Sequence, residues 1–370
     1  MKRTIRFALA AIMITVLLIA SVIPASAAAK PSLKVLVVGN CYSRDALESV
    51  YTVASSQGVD LTVGLLYGEV FTLSDHRDYL SGNSIYGSGI NGKVGNGGAY
   101  YLYDSKAPSG AAKSNVYFKE IVKSEKWDVV VLQHFVTGAG ESNSTAVEFI
   151  NTFADDIRNE CKNKNVKIMY ADVWALENPG VLEGEVKDSA LFDAYGQSQK
   201  TMYESVDAAT KNIKAGGYDV IPLGEAFKLA REDAAFNTLS GGKTLVTSDK
   251  YRANPNGKYL AALTFYQAVT GCKLDKASLK TPASVTSEQV LISAAENAVT
   301  GFGYELGTVE EAFSKKDGAS SSATDSKSAE SGTEPTSEGK LPIAVIIAVA
   351  AVVVVAAVVV IIVVAKKKKK

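Results

Sequence analysis

The chain has 370 residues, of which 39 are basic, 39 are acidic and 47% are hydrophobic. Without Lys2, Arg3, Arg6 and the five C-terminal lysines, 31 basic residues face 39 acidic ones, which leaves a net charge of −8. A surface of that sign repels phosphate backbones and argues against a nucleic-acid partner.

The N-terminus has the pattern of a secretory signal peptide. A basic start, M-K-R-T-I-R, is followed by an apolar run from Phe7 to Ile23 and by the small residues P-A-S-A-A. This order of a charged head, a short hydrophobic middle and a small-residue cleavage site is typical of signal peptides. We therefore predict a signal peptide over residues 1–28 and export of the rest.

The C-terminus predicts a stalk and a membrane anchor. Residues 314–340 are rich in Ser, Thr, Ala and charge, and such a segment cannot bury enough apolar surface to order itself. Residues 341–365 contain 23 uncharged apolar residues from Ile343 to Ala365, long enough for a transmembrane helix. The lysines at 366–370 predict a cytoplasmic tail. The expected protein is single-pass in the cell membrane, with its N-terminal domain outside.

Residues 31–313 are left for one folded domain. An apolar strand from Leu33 to Gly39 is followed by an amphipathic helix from Ser43 to Gln57 and a second strand from Val59 to Tyr67. The segment from Gly82 to Gly110 breaks this periodicity with many glycines and tyrosines. Long irregular insertions of this kind are functional loops or hairpin excursions.

Strands and helices continue to alternate after that insertion. The predicted strands are Trp127 to Gln133, Val166 to Asp172 and Tyr218 to Pro222. The predicted helices are Thr145 to Asn163, Asp188 to Lys214, Gly224 to Ala235, Asn256 to Thr270 and Thr286 to Thr300. This alternation predicts a three-layer α/β sandwich with a mostly parallel sheet of about five strands.

Cys41 stands just after the first strand, in the turn Asn40-Cys41-Tyr42. Loops at the carboxyl edge of a parallel sheet bind ligands, so a thiol there is placed like a nucleophile. The alternative is that Cys41 is a small buried hydrophobic residue that ends the strand. Cys161 and Cys272 could pair as a disulfide, although no spacing requires it.

Three blocks resemble the SGNH (GDSL-like) hydrolase superfamily. They are K-V-L-V-V-G-N-C-Y-S-R-D-A-L-E at 34–48, W-D-V-V-V-L-Q-H at 127–134 and D-K-Y-R-A-N-P-N-G-K-Y-L-A-A-L-T-F-Y at 249–266. The likeness spans Leu33 to Gly271 and is greatest to a bacterial branch that writes G-N-S-x-S first and D-x-x-H-x-x-x-x-G-x-Y-L-A-A last. It implies a flavodoxin-like sheet and hydrolysis of esters, often acyl groups on carbohydrates.

Carried over position by position, the resemblance places the nucleophile on Cys41, the acid on Asp249 and the base on Arg252. The family has serine at the first position and histidine at the third. Arginine does not release its proton near neutral pH, so it cannot act as a general base. Asp249 and Arg252 could instead form a local ion pair that closes the last loop.

The remaining site candidates lie near the ends of the first strands. The same resemblance places the family's second-block glycine on Gly68 and its third-block asparagine near Thr137, which with the Cys41 amide are candidates for the oxyanion site. His76 matches a histidine of that branch and is a candidate for the cleft, as are Asn40 and Gln133. His134 follows the strand that neighbours the first strand, so a Cys41–His134 pair is a further possibility. A thiol needs less activation than a hydroxyl, and Arg252 could supply a cation that lowers its pKa.

Three functional hypotheses follow. The first is a divergent esterase or deacylase scaffold, acting on an acylated carbohydrate or similar ester, with an altered and inactive or weakly active site. The second is a non-catalytic surface protein that binds a glycan through the cleft and the tyrosine-rich loop. The third is a thiol-dependent hydrolase that uses Cys41 and His134. No metal-ligand spacing and no Walker lysine are present, so no cofactor is predicted.

Overall fold

The computed structural model describes residues 30–82, 84–86, 98–140, 144–178 and 193–314. The predicted signal peptide, the stalk after Ser314, the membrane segment 341–365 and the tail 366–370 lie outside these residues. Within them, no helix combines the length and the apolar character needed to cross a bilayer.

The described strands form one mixed sheet in the order β4-β3-β2-β1-β5-β6-β7. The strands are β1 (Ser32–Gly39), β2 (Asp60–Tyr67), β3 (Ala99–Tyr103), β4 (Ala111–Lys113), β5 (Val129–Gln133), β6 (Lys167–Ala171) and β7 (Asp219–Ile221). The strands β2, β1, β5, β6 and β7 pair in parallel with one another, as predicted.

The hairpin of β3 and β4 was missing from the predicted sheet. It runs antiparallel to β2 and extends the five predicted strands to seven. Alternating tyrosines in β3 indicate a strand surface, but they do not identify the strand with which it pairs. The irregular insertion from Gly82 to Gly110 therefore contains β3, and β4 follows directly after it. Residues 83 and 87–97 lie outside the described residues.

The helices that flank the sheet agree with most predicted positions. They are α1 (Cys41–Leu47), α2 (Val50–Ser56), α3 (Leu73–Gly82), α4 (Phe118–Ser124), α5 (Val136–Ala139), α6 (Ser144–Glu160), α7 (Gln199–Ala215), α8 (Leu223–Glu232), α9 (Pro255–Thr270) and α10 (Glu288–Gly301).

The helices α3, α4 and α5 were not predicted, and two predicted helices differ in their bounds. The single helix predicted from Ser43 to Gln57 is two helices, because Ser49 leaves the helical conformation (φ −110°, ψ 0°). Serine is a weak helix former, which is consistent with a break at that position. The helix predicted from Asp188 begins at Gln199, and residues 188–192 lie outside the described residues.

The sheet has helices on both faces, which gives three layers. Alternate residues of β1 enter two separate cores: Val35 and Val37 pack in the first, Leu36 and Val38 in the second. The first core includes residues of α1, α2, α8, α9 and α10. The second includes residues of α3, α4 and α6. Every strand residue of β5 is buried, which explains its continuous apolar sequence.

The strand register brings the ends of three strands to one edge of the sheet. Gly39 is opposite Tyr67 and Val38 is opposite Leu132, so β1, β2 and β5 end together. The residues that follow them share the carboxyl edge, where ligands bind in α/β folds.

All three cysteines are free and buried. Cys41 and Cys272 belong to the first core, whereas Cys161 belongs to the second. The sheet therefore lies between Cys161 and Cys272, and the two do not form a disulfide.

Candidate functional site

Asn40 organises the loop after β1. Its side-chain oxygen accepts a hydrogen bond from the Tyr42 amide (3.1 Å), which caps the N-terminus of α1. Its side-chain nitrogen donates to the carbonyls of Phe71 (3.3 Å) and Gln133 (3.5 Å). Asn40 is completely buried, so these bonds join three segments at the carboxyl edge.

Cys41 is placed at the first turn of α1 with its thiol buried. Burial raises the pKa of this thiol far above its usual value. The positive charge of Arg252 lowers that pKa, while the negative charges of Asp45 and Glu69 raise it. Because burial is the largest effect, the thiol is neutral at physiological pH and is a poor nucleophile.

The two amides that were candidates for the oxyanion site are engaged by the protein itself. The Cys41 amide donates to the Glu69 carbonyl (3.2 Å), and the Gly68 amide donates to the Gly39 carbonyl (3.2 Å). A Cβ atom on Gly68 would lie 2.1 Å from the ring of Phe71, so this position requires glycine. An oxyanion at this place would have to displace one of these backbone bonds.

Arg252 reaches the same loop from 207 residues beyond Asp45. Its guanidinium donates two hydrogen bonds to Asp45 (Nε–Oδ2 and Nη2–Oδ1, both 2.9 Å) and a third to Glu69 (Nη1–Oε1, 2.8 Å). The Ala253 amide also donates to Asp45 (2.9 Å). The two loops that carry Cys41 and Arg252 are therefore joined directly at the carboxyl edge.

Burial strengthens this ion pair. The side chain of Asp45 is 2% exposed and that of Arg252 is 24% exposed. Hydrogen bonding to Asp45 is the largest cause of the raised pKa of Arg252, so the guanidinium holds its proton even more firmly than usual. Bidentate pairs of this geometry are among the stronger charged contacts in proteins.

Asp249 does not pair with the Arg252 side chain. Its Oδ1 atom accepts hydrogen bonds from the Thr247 hydroxyl (2.7 Å), the Tyr251 amide (3.2 Å) and the Arg252 amide (2.9 Å). Lys250 between them has a left-handed backbone (φ 70°), which is uncommon for a residue with a side chain. The Asp249 side chain therefore shapes the loop by binding its backbone amides, and the local ion pair considered as an alternative is not formed.

Gln133 and Ser43 form a buried polar contact beneath the loop. The Ser43 hydroxyl donates to the Gln133 side-chain oxygen, and the Gln133 amide donates to the Asp172 carbonyl (2.9 Å). A Cβ atom on Gly39 would lie 1.9 Å from the Ser43 oxygen, so the contact depends on glycine at the end of β1. Both polar groups of Gln133 are used within the protein.

His76 is sealed in the second core. Its Nε2 lies 3.0 Å from the Gly39 carbonyl, and its Nδ1 lies 2.6 Å from the Tyr86 hydroxyl. A carbonyl only accepts hydrogen bonds, which assigns the proton to Nε2 and makes Nδ1 the acceptor. Burial lowers the pKa of His76 to about 3, so the ring is neutral and holds β1 against α3.

His134 lies apart from Cys41. It lines a cavity together with Thr137 and with Ile150, Tyr170 and Ile213, which belong to the second core. Cys41 belongs to the first core, and no hydrogen bond joins the two residues in the described part of the chain. Burial lowers the pKa of His134 to about 4, against a smaller opposing effect of the Phe135 backbone.

A cation between aromatic rings borders the loop. The Arg44 guanidinium lies over the rings of Tyr67 (5.6 Å) and Tyr101 (4.9 Å). The Tyr67 hydroxyl donates to Glu69, which also binds Arg252. Arg252, Asp45 and Glu69 form the Arg252 cluster. Tyr101 remains partly exposed on β3, so the aromatic surface continues from this cluster to solvent.

Sequence reasoning missed three acidic residues of this edge: Asp45, Glu69 and Asp172. Asp45 lies four residues after Cys41, on the same face of α1, and that spacing was the one signal available. Asp172 accepts a hydrogen bond from the Gly224 amide (2.8 Å) at the start of α8, and burial raises its pKa to about 8. Among the described residues, no group of three His, Cys, Asp or Glu side chains could hold a metal ion.

Comparison with known proteins places the chain in a family. Residues 34–300 match the model of a domain of unknown function, DUF4886. A crystal structure of a DUF4886 family protein from Bacteroides uniformis is similar, with a TM-score of 0.60 and 21% identity over 76% of this chain and 99% of that one. At this identity, the likeness supports the fold alone.

A more distant likeness is to a protein from Slackia heliotrinireducens that is provisionally described as an SGNH hydrolase. Its TM-score is 0.40, with 14% identity over 64% of this chain and 99% of that one, too distant to carry an argument. None of the curated proteins matches the chain. Because the family model covers more than half of the sequence, the chain belongs to the DUF4886 family.

Proposed function

We propose that this chain is a divergent SGNH-type domain that binds an acylated carbohydrate or a similar ester without hydrolysing it by a Ser-His-Asp mechanism. The observation that carries the proposal is the Arg252–Asp45 ion pair. It occupies the position at which the resemblance requires a histidine base. A group locked in two charge-assisted hydrogen bonds and permanently protonated cannot accept a proton from a nucleophile.

The nucleophile position supports the same conclusion. The Cys41 thiol is buried, and its raised pKa keeps it neutral. The neighbouring amides are engaged by backbone carbonyls. The base, the nucleophile and the oxyanion donors therefore each lack a property that acyl transfer requires: a removable proton site, an ionisable thiol and free amide groups.

The surface around Arg252 supports binding. Arg44 stacks on Tyr67 and Tyr101, and Glu69 links this group to Arg252. The partly exposed ring of Tyr101, beside charged hydrogen-bonding groups, suits the apolar faces and hydroxyls of sugars. The signal-like N-terminus and the apolar run before the lysine tail support an exported, membrane-anchored location, where the partner would be a cell-surface glycan.

The catalytic part of the proposal is tested by ester turnover. Full-length protein in mild detergent is assayed with p-nitrophenyl acetate, beside Cys41→Ala and the control Cys161→Ala, which alters a buried thiol of the other core. We expect the three proteins to have equal, near-background rates. Turnover that is lost in Cys41→Ala and kept in Cys161→Ala would overturn the proposal.

The binding part is tested by calorimetric titration with acetylated xylo-oligosaccharides and with the same oligosaccharides after chemical deacetylation. We expect saturable binding of the acetylated set and about fivefold weaker binding by Tyr101→Ala, the loss of one aromatic contact. Absence of binding to both sets, or unchanged affinity in Tyr101→Ala, would contradict this carbohydrate surface.

A further inference from the structure

A second candidate site lies on the other face of the sheet from α1. It is a cavity of about 510 Å³ between the start of α3, the short helix α5 and helix α6. Its described lining is Thr72, Ser74, His134, Thr137, Gly138, Ala139, Ala146, Phe149, Ile150, Tyr170 and Ile213. This volume is in the range of small-molecule sites in proteins.

His134 lines this cavity, and one of its ring nitrogens has no hydrogen-bond partner among the described residues. The Nδ1 atom is buried and has no hydrogen-bond partner. Buried polar atoms without partners are rare in folded proteins, and each one calls for an explanation. The ring lies against Gly138, where a Cβ atom would be 2.1 Å from Cε1, so glycine gives the imidazole its place.

The rest of the lining defines what could occupy the cavity. Ile150, Tyr170 and Ile213 are buried and form an apolar floor, and Phe149 adds an aromatic wall. Thr72, Ser74 and Thr137 add hydroxyl groups. None of the described lining side chains is charged near neutral pH, since burial keeps His134 neutral there.

We propose that this cavity binds small uncharged molecules that combine an apolar ring or chain with one hydroxyl group. The apolar part would pack on the floor, and the hydroxyl would bond to a ring nitrogen of His134. A hydroxyl both donates and accepts, so it fits either neutral tautomer of the ring. A carboxylate or an ammonium group would lose its hydration without a charged partner among the described lining residues.

The inference does not depend on the proposed function, because the cavity shares no lining residue with the Arg252 cluster. If ester turnover or oligosaccharide binding differs from what we propose above, the inference about this cavity still stands. Conversely, if no ligand binds in the His134 cavity, the proposed function still stands, because that result does not provide a catalytic base beside Cys41.

The chain contains two histidines, which makes a direct test simple. Full-length protein with ¹³C-labelled histidine is titrated with p-cresol, and the ring signals of both histidines are followed by NMR. We expect saturable shifts of the His134 signals. His76 is sealed between Gly39 and Tyr86, so its signals should move far less.

Matched comparisons identify the hydrogen bond. Toluene, which lacks the hydroxyl, and the variant His134→Phe, followed by calorimetry, should each give about tenfold weaker binding. Cys272→Ala, a small change in the first core, should bind p-cresol like the original chain. Equal affinity for toluene and p-cresol, unchanged affinity in His134→Phe, or absence of saturable shifts at His134 would each overturn the proposal.

Discussion

Replacing Arg252 with methionine tests whether the ion pair with Asp45 holds the two loops of the carboxyl edge together. The variant keeps a long apolar stem but leaves a carboxylate that is 2% exposed without its charged partner. Removing one member of a buried pair typically costs about 3–5 kcal/mol. Because Arg252 is 24% exposed and the Ala253 amide still binds Asp45, we expect about 2–3 kcal/mol here.

A second substitution separates lost attraction from the cost of an unpaired charge. In the double variant Asp45→Asn with Arg252→Met, no buried charge remains, so we expect at least half of the lost stability to return. Lys258→Met is the matched control. Lys258 contacts Glu48, whose side chain is 52% exposed, and exposed pairs contribute about 0–1 kcal/mol.

Urea unfolding followed by tryptophan fluorescence measures these free energies, because Trp127 and Trp174 are both fully buried and report loss of the core. The reasoning is refuted if Arg252→Met is as stable as Lys258→Met. It is also refuted if the destabilisation of the double variant equals the sum of the effects of Asp45→Asn and Arg252→Met, as for two independent substitutions.

Three further outcomes are expected. The double variant Cys41→Ser with Arg252→His restores the residue types of the family, so it should hydrolyse p-nitrophenyl acetate, whereas neither single variant should. If the folded double variant shows no gain in turnover, the scaffold no longer supports the triad. Folding favours protonated Asp172, whose pKa rises from the usual 3.8 to about 8, so this stabilisation is complete below about pH 4 and is lost as the pH rises toward 8. Relative to the original chain, Asp172→Asn should therefore gain a few kcal/mol between pH 4 and pH 8 in urea unfolding, and parallel pH profiles would contradict the assignment. Because all three thiols are buried, they should react with a disulfide reagent at pH 8 only in denaturant. If one thiol per chain reacts in the native protein and none reacts in native Cys41→Ala, the Cys41 thiol is accessible and this expectation is wrong.

Local patterns predicted most of the architecture. Apolar runs such as Val129–Gln133 identify buried strands because a strand covered on both faces has no polar side. The first helical segment was predicted correctly, but its break at Ser49 was not. One weak helix former changes the free energy of a helix by less than tertiary packing does, so its effect cannot be predicted from the sequence. The pairing of β3 with β2 is a contact between distant segments, and β3 alone does not encode it.

The site was only partly predictable for the same reason. Residue types at 41, 249 and 252 were enough to show that a general base is missing, because the chemistry of arginine does not depend on the fold. Which carboxylates hold Arg252 could not be read from the sequence, since Asp45 lies 207 residues away and Glu69 183 residues away. His134 follows the strand next to β1, yet its side chain lines a cavity with residues of the second core.

The sequence by itself determined the alternation of strands and helices, the first loop with its cysteine and the absence of a histidine from the last block. These features depend on residue type and short-range spacing. Only the tertiary structure decided that Cys41 is buried, that Asp249 binds backbone amides and that His134 faces a separate cavity. Those outcomes depend on side-chain direction and burial, which arise from contacts between segments far apart in the chain.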